Sequence, residues 1–287
     1  PLALHGTIIR KDGSSLSVAI GEEEGDPVFC VTDLLPHLAA DQMRKTLAEG
    51  VEGEKLNILI GSAALRDDTG SEKVKIAIAK LLFEKYGIVE EDFLSAEIEV
   101  VPAGPARDMG LDRSMILGYG HDDRVCAYPS MLAQINVANV ERTSITLIVD
   151  KEEIGSEGNT GMNSDYFKHY VERLADMAGV PVRDVFTRSL CLSSDVNAAY
   201  DPTFSDVFEA NNASYINKGC VLTKYTGARG KSSSNDASAE TMAKVIRIME
   251  ENGVYWQTGE LGAVDAGGGG TIAKYIAHLD IDVVDLG

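Results

Sequence analysis

The first part of the chain opens with a regular alternation of apolar and polar residues. The alternation covers 2–10 and 15–20 on either side of Asp12-Gly13, a dipeptide typical of tight turns, and it predicts a β-hairpin. Apolar residues at helical spacing over 72–86, followed by Gly87, predict an amphipathic helix. The remaining elements predicted for this part are strands over 27–32 and 56–60 and a helix that runs from 33 to 49.

Beyond residue 95, strand-like and helix-like patterns follow each other along the chain. Alternating strands and helices are typical of an α/β layered domain. We therefore predict a smaller α+β domain over 1–94 and an α/β domain over 95–287. The strands predicted for the second domain cover 96–103, 114–118, 145–149, 189–192, 221–224, 254–257 and 281–286, and its helices cover 125–137, 164–179, 239–252 and 272–278.

Composition narrows the possible partners. The chain has 45 acidic and 26 basic residues, for a formal net charge of −19, which argues against nucleic acid or an anionic membrane as a partner. No apolar run approaches the roughly 18 residues that a membrane-spanning helix needs. The four cysteines are scattered without the paired spacing of metal or redox motifs, as is usual for reduced thiols. We predict a cytoplasmic protein.

Acidic residues lie at three positions where a predicted strand has just ended. Glu152 and Glu153 follow one predicted strand, Asp195 follows another, and Asp122 lies between a strand and a helix. Each motif alone has a simpler explanation, either a charged turn or an aspartate that caps a helix. Carboxylates that converge in one cleft repel each other unless a divalent cation lies among them. The three motifs together therefore favour a metal site.

Two loops rich in small residues add further candidates. The run over 265–271 contains four consecutive glycines before a predicted helix, and its backbone amides could bind an anion or an oxyanion. The loop over 227–238 contains Gly-Lys-Ser, but it lacks the first glycine that a phosphate-binding loop requires. Only the first of these loops is a candidate for the site.

Five motifs make the chain similar to the aspartyl aminopeptidase family of two-metal exopeptidases, and the resemblance spans almost the whole sequence. This resemblance implies a zinc-exopeptidase-like mixed sheet flanked by helices over 95–287, with an inserted α+β dimerisation domain over 1–94. The motifs, in chain order, are GYGHDDRVCAYPSM, DKEEIGSEGNTGM, SSDVNAAYDP, KGCVLTKYTGARGKSSSNDASAE and DAGGGGTIAKYIA.

The resemblance also implies a role for each candidate residue. Asp122 would bridge two divalent metal ions, Glu153 would bind one of them and Asp195 the other. Glu152 would be the general base that takes a proton from the attacking water. The ions implied are zinc, with cobalt or manganese as alternatives. Residues implied to bind the substrate, with Lys224 facing the acidic side chain of an N-terminal Asp or Glu, are Lys224, Gly268 and Gly269.

Members of this family use two further histidine ligands, and the motifs that carry them are missing from this chain. The sequence therefore resembles a family member that is incomplete at both ends, and we expect it to bind metal weakly and to be inactive unless those ligands are supplied. The partners implied are peptide substrates and further copies of the chain, from dimers up to dodecamers. Two alternatives stay open: a related metallo-aminopeptidase of broader specificity, and a non-catalytic assembly subunit.

Overall fold

A computed structural model describes residues 1–66, 70–227, 229 and 231–287. The chain divides into two compact units, Pro1–Tyr119 and Gly120–Gly287. Within the described ranges, no helix combines the length and the apolar character that crossing a bilayer requires. The four cysteines are free thiols, of which Cys126 is buried and Cys30 is exposed.

The first unit is built on a three-stranded antiparallel sheet. Its strands lie in the order β2-β1-β3, and a separate antiparallel pair is formed by β4 and β5. The elements in chain order are β1 (Leu2–Ile9), β2 (Ser15–Ile20), α1 (Leu47–Gly50), α2 (Lys73–Tyr86), β3 (Ala96–Pro102), β4 (Arg107–Met109) and β5 (Met115–Leu117).

The hairpin and the amphipathic helix of this unit agree with the sequence prediction. The amide of Gly13 donates to the carbonyl oxygen of Arg10 at 2.8 Å and closes the turn between β1 and β2. Helix α2 ends at Gly87, whose φ of 66° lies in the left-handed region that glycine adopts at little cost. Side chains from these elements meet in one small core that includes Ile8, Val18 and Ile88.

The stretch between the hairpin and α2 was predicted wrongly. The proposed strands over 27–32 and 56–60 are reduced to isolated bridges, and the helix over 33–49 is replaced by a short 3-10 turn and α1. Pro36 disfavours helical backbone at the preceding residue. The leucines that would have formed the apolar face are more than half exposed, with Leu38 at 67 %, so the described residues of this unit provide them with too little packing to stabilise a helix.

The boundary between the units also differs from the predicted one. The sequence predicted a boundary between residues 94 and 95, whereas the first compact unit ends at Tyr119 and the second begins at Gly120. The reason is that β3 pairs with β1 along its length, from Leu2 opposite Pro102 to Ile8 opposite Ala96. The strand therefore belongs to the first sheet. A dimerisation role for this unit stays a prediction.

The second unit contains the mixed sheet that the sequence predicted. Its order is β6-β9-β7-β8, in which β6 is parallel to β9, β9 is antiparallel to β7, and β7 is parallel to β8. The elements in chain order are α3 (His121–Asn136), α4 (Tyr166–Ala178), α5 (Val182–Phe186), β6 (Leu190–Ser193), β7 (Cys220–Thr223), α6 (Ala239–Glu251), β8 (Trp256–Thr258), α7 (Ala273–Ala277) and β9 (Asp282–Leu286).

Strand β9 has a core on each of its faces. Successive side chains of a strand point to opposite faces of the sheet. Val283 accordingly packs in one cluster with Val171 of α4 and Ile276 of α7. Its neighbour Val284 packs in a second cluster, with Val245 of α6. Helices thus cover both faces of the sheet, which confirms the predicted α/β class.

One predicted strand of this unit is not formed. Residues 145–149 have no ladder partner among the described residues and belong to none of the three sheets. Leu147 and Val149 contact the cluster around Val283, while Ile145 and Ile148 remain 40 % and 57 % exposed. The apolar run is therefore packed on one side only, and the prediction of a buried strand was wrong.

Candidate metal centre

The acidic residues of the candidate site lie where regular structure is interrupted. Asp122 and Asp123 fall in the first turn of α3, but both have non-helical dihedral angles. Glu152 and Glu153 begin a short 3-10 turn. Asp195 follows the last residue of β6 by two positions. All five belong to the second unit, Gly120–Gly287.

The turn that carries the two glutamates is closed by its own backbone. The amide of Ser156 donates to the carbonyl oxygen of Lys151 at 2.7 Å, and the amide of Asp150 donates to the carbonyl oxygen of Thr160 at 3.0 Å. Ser156 is almost completely buried beneath the turn. These hydrogen bonds fix the backbone from which Glu152 and Glu153 project, although the strand predicted before them is not formed.

Three aspartates bring their carboxylate oxygens together. One oxygen each from Asp122, Asp123 and Asp195 lies within 4.8 Å of the other two. Sequence reasoning singled out Asp122 and Asp195 but left Asp123 aside as the second acid of a pair. In the structure, Oδ1 of Asp123 is buried and has no hydrogen-bond partner among the described residues.

Mutual repulsion and burial raise the proton affinity of the cluster. Burial, and after it the charges of Glu152, Asp123 and Asp122, together raise the pKa of Asp195 to about 7. Burial, opposed by a hydrogen bond from Cys126, also raises the pKa of Asp123. Negative charges collected in this way favour either protons or a cation among them.

The pKa values of the two glutamates are shifted by different neighbours. Burial raises the pKa of Glu152 most, followed by the charges of Glu153 and the aspartates, and the ammonium of Lys274 opposes the rise. A hydrogen bond with Asp122 is the main cause that raises the pKa of Glu153. The structure therefore brings Glu152, Glu153, Asp122 and Asp195 into one electrostatic cluster.

The residues present fit a divalent cation. Carboxylate oxygens are accepted ligands of zinc and are preferred by harder divalent ions. The buried, unpartnered Oδ1 of Asp123 is an acceptor that the protein leaves without a donor, which is costly unless the site takes up a cation. Asp122, Asp123 and Asp195 are the side chains whose oxygens converge closely enough to hold it, and Glu153 lies beside Asp122.

Lys224 lies in a separate charged group. Its Nζ is 2.6 Å from Oδ1 of Asp236 and donates to the carbonyl oxygen of Ala237 at 2.8 Å. Lys231 binds the other oxygen of Asp236 at 2.7 Å. The cation predicted to meet an acidic substrate side chain is thus shared with a carboxylate of the protein itself.

A small cavity lies beside the glycine run. Tyr225, Glu260, Leu261 and Gly268 are among the residues that line it. Burial raises the pKa of Glu260 to about 7, and the ammonium groups of Lys231 and Lys224 oppose the rise. Glu260, which sequence reasoning missed, therefore lines the same cavity as the predicted substrate-binding Gly268, and the charge of Lys224 acts on it.

The glycine run is packed against other backbone. A Cβ at Gly270 would lie 2.7 Å from the carbonyl oxygen of Ser233, and one at Gly267 would lie 3.0 Å from that of Leu261. Close approach of the protein's own backbone therefore explains these two glycines. A Cβ at Gly269 would make only an ordinary contact with the side chain of Leu261, at 3.4 Å. Substrate contacts of Gly268 and Gly269 stay a prediction.

Comparison with known proteins identifies similar chains over the whole sequence. The family model described as aminopeptidase I zinc metalloprotease (M18) matches residues 1–287. A probable M18 family aminopeptidase 1 of Clostridium acetobutylicum is 51 % identical over 291 residues, and one of Thermotoga maritima is 44 % identical over 292 residues. Each alignment covers 100 % of this chain but only 63 % and 64 % of the respective relative.

Solved structures agree with the fold. An M18-family aminopeptidase from Thermotoga maritima superposes with a TM-score of 0.93 at 43 % identity, and aminopeptidase I from Clostridium acetobutylicum with 0.92 at 52 % identity. The whole chain is covered in both, against 64 % and 63 % of those chains. The mature Ape1 dodecamer of Saccharomyces cerevisiae, 21 % identical with a TM-score of 0.69, is similar in fold alone.

Proposed function

The chain belongs to the M18 family of zinc metalloprotease aminopeptidases, and from this premise we propose that it forms the catalytic centre of a metal-dependent aminopeptidase. The reaction is hydrolysis of the first peptide bond of a peptide. One observation carries the proposal: the carboxylates of Asp122, Asp123 and Asp195 converge within 4.8 Å in the unit that also contains Glu152.

The proposed metal ligands are Asp122, Glu153 and Asp195, with two divalent ions, zinc above all, as the cofactors. Asp123 is added as a candidate ligand because its buried Oδ1 has no hydrogen-bond partner in the described part of the chain. When bound, such ions polarise the scissile carbonyl group and lower the pKa of a bound water.

Glu152 is the proposed general base. Its carboxylate accepts a proton from the attacking water as the new C–O bond forms, and it passes that proton to the leaving amine as the C–N bond breaks. A carboxylate suits this task when its pKa is raised towards neutral pH. Burial and the neighbouring carboxylates provide that shift at Glu152, and the ammonium of Lys274 limits it.

Two preferences are possible for the N-terminal residue that is removed. The first is for acidic residues, because Lys224 would face their side chains. The 2.6 Å ion pair between Lys224 and Asp236, together with Glu260 at the adjoining cavity, instead favours a broader specificity as the second candidate, because the positive charge is already compensated. Initial rates on Asp-, Glu- and Leu-amide substrates separate the two.

We propose the substrates, the compartment and the oligomeric state together with the activity. The substrates are peptides, the compartment is the cytoplasm, and the working form is a homo-oligomer assembled from dimers. A purely structural role as an assembly subunit is disfavoured, because a cluster of carboxylates with raised pKa values is costly for a surface that only packs against another copy.

The experiment that tests this proposal replaces Glu152 by Gln in the protein expressed from its natural gene. We expect hydrolysis of a peptide amide to fall by about 10²-fold or more, which is the usual contribution of a general base, while zinc is retained. The matched control is Glu157→Gln, the same substitution in the same loop, which should leave the rate unchanged. Equal rates for the wild type and Glu152→Gln would remove Glu152 from this role.

A further inference from the structure

A row of buried polar side chains crosses three strands of the mixed sheet. Ser193 of β6 is the register partner of Asp285 on β9, and Asp285 is in turn the partner of Thr223 on β7. The three residues are only 3 %, 4 % and 6 % exposed. Paired residues of adjacent strands point to the same face, so this row lies on the face that Val283 shares with α7.

Asp285 is the central member of the row, and it bonds outside the sheet. Its Oδ1 accepts a hydrogen bond from the hydroxyl of Thr271 at 2.7 Å. The same hydroxyl accepts from the amide of Ala273 at 3.3 Å, at the start of α7. Oδ2 of Asp285 has no hydrogen-bond partner of normal geometry among the described residues.

Each partner of Asp285 adjoins a different part of the proposed site. Ser193 begins the segment that carries Asp195, Thr223 immediately precedes Lys224, and Thr271 ends the glycine run. The carboxyl end of β9 also touches the first of these segments, since a Cβ at Gly287 would collide with the carbonyl oxygen of Asp195. One buried carboxyl group therefore lies at the junction of three segments that are far apart in sequence.

Fold stability alone does not explain a carboxyl group at this position. Burying an ionisable group beside an apolar core is unfavourable, and an apolar side chain of similar size would usually be tolerated as well or better. Residues Val283 and Val284 just before it show that β9 accommodates apolar side chains on both faces. A polar group at position 285 is better explained by the contacts that it organises.

We infer that Asp285 is a positioning residue, which holds the Asp195 segment and the glycine run in a fixed relation at the end of β9. The inference rests on the proposed function, because it takes Asp195 as a metal ligand. Asp285 contacts neither substrate nor metal in this account. It acts through Thr271 and through the strand pairing with Ser193.

The test compares four variants of the protein expressed from its natural gene: Asp285→Ala, Asp285→Asn, Thr271→Val and Thr271→Ser. Zinc affinity is measured by competition with a chromophoric chelator, and backbone hydrogen exchange is followed over 266–272. Asp285→Ala and Thr271→Val should weaken zinc binding about tenfold, as is common when an outer partner of a site is lost, and should speed exchange in that segment. Asp285→Asn and Thr271→Ser keep an acceptor and a hydroxyl, so both should stay close to the wild type.

Val284→Ala is the matched control for a merely structural effect. Val284 is fully buried and adjacent in sequence, but it packs on the α6 face. This substitution should lower the urea midpoint while zinc affinity and exchange over 266–272 stay unchanged. The inference is overturned if Val284→Ala weakens zinc binding as much as Asp285→Ala does, or if Asp285→Ala matches the wild type in both readouts.

Failure of the proposed function gives a different result. If the wild type takes up no zinc, the proposed metal site is rejected. The exchange measurement alone then tests whether Asp285 is a positioning residue. Faster exchange over 266–272 in Asp285→Ala but not in Asp285→Asn supports the positioning role. Unchanged exchange in both variants rejects it.

Discussion

The hydroxyl of Tyr275 on α7 donates a hydrogen bond to the carbonyl oxygen of Gly155, at 3.1 Å and across 120 residues of sequence. Gly155 directly follows the turn that carries Glu152 and Glu153. On the preceding residue of the helix, the ammonium of Lys274 acts on Glu152 and opposes the rise of its pKa. Helix α7 thus supports the proposed base both through a hydrogen bond and through charge.

We expect Tyr275→Phe to loosen this connection at a modest cost. The ring stays in place and one hydrogen bond is lost, so the free energy of unfolding should fall by about 1 kcal/mol. Amide exchange over 151–156 should accelerate at the same time. Urea unfolding and hydrogen exchange measure these effects, and Tyr170→Phe on the exposed side of α4 is the control. An unchanged exchange rate at the turn would show that Tyr275 does not hold it.

The pairing of Lys224 with Asp236 leads to a prediction about selectivity. In Asp236→Asn, both Lys224 and Lys231 lose their shared carboxylate, and the surroundings of Glu260 become more positive. The ratio of kcat/KM for a Glu-amide substrate to that for a Leu-amide substrate should therefore rise. A several-fold increase is expected, since exposed charge pairs contribute up to about 1 kcal/mol.

Two further variants complete that experiment. Lys224→Met in the Asp236→Asn background should return the ratio towards the wild-type value, because the freed cation is removed. Asp206→Asn, in a different part of the second unit, should change nothing. A ratio that does not respond to Asp236→Asn would exclude Lys224 as a determinant of the first residue.

Asp285 should make stability depend on pH. Burial raises its pKa from 3.8 to about 6, against the opposing effect of the Thr271 and Ser193 hydroxyls. Between these two values the folded state binds more protons than the unfolded state, so stability falls as the pH rises through the window and is constant above it. At 1.36 kcal/mol per pKa unit, the contribution lost is about 3 kcal/mol.

Asp285→Asn removes this titration. Relative to the wild type, the variant should gain about 3 kcal/mol in free energy of unfolding between about pH 4 and pH 7. Urea unfolding at several pH values measures the difference, with Asp282→Asn at the exposed start of β9 as the control. A difference that is the same at every pH would mean that Asp285 has an ordinary pKa in the folded protein.

The sequence was most informative where local pattern and burial agree. The hairpin around Gly13, helix α2 and strand β9 all have a regular pattern of apolar residues, and the packing of those residues follows that pattern. Residues 33–49 also contain many leucines, but Pro36 disfavours a long helix, and these leucines are poorly packed by the part of the unit that the structure describes. Propensity fails there because tertiary contacts, rather than local preference, stabilise most helices.

In the candidate site, too, the sequence predicted some residues and missed others. Motif resemblance was sufficient to select Asp122, Glu152, Glu153 and Asp195, and the structure brings these four into one electrostatic cluster. Asp123 was left aside because the resemblance assigns metal binding to the first acid of the pair. The non-helical backbone at both positions decides where the two carboxylates lie, and spacing cannot reveal this. Glu260 and Asp285 matter only through contacts that are distant in sequence.

The most direct test of the proposed metal centre is zinc content after equilibrium dialysis against excess zinc, measured by elemental analysis for the wild type and for Asp195→Asn, both expressed from the natural gene. Asp165→Asn, an exposed residue before α4, is the control. We expect stoichiometric zinc in the wild type and in the control, and a clear loss in Asp195→Asn, because Asp195 lies in the carboxylate cluster. No zinc in the wild type, or equal zinc in Asp195→Asn, would rule out the proposed metal centre.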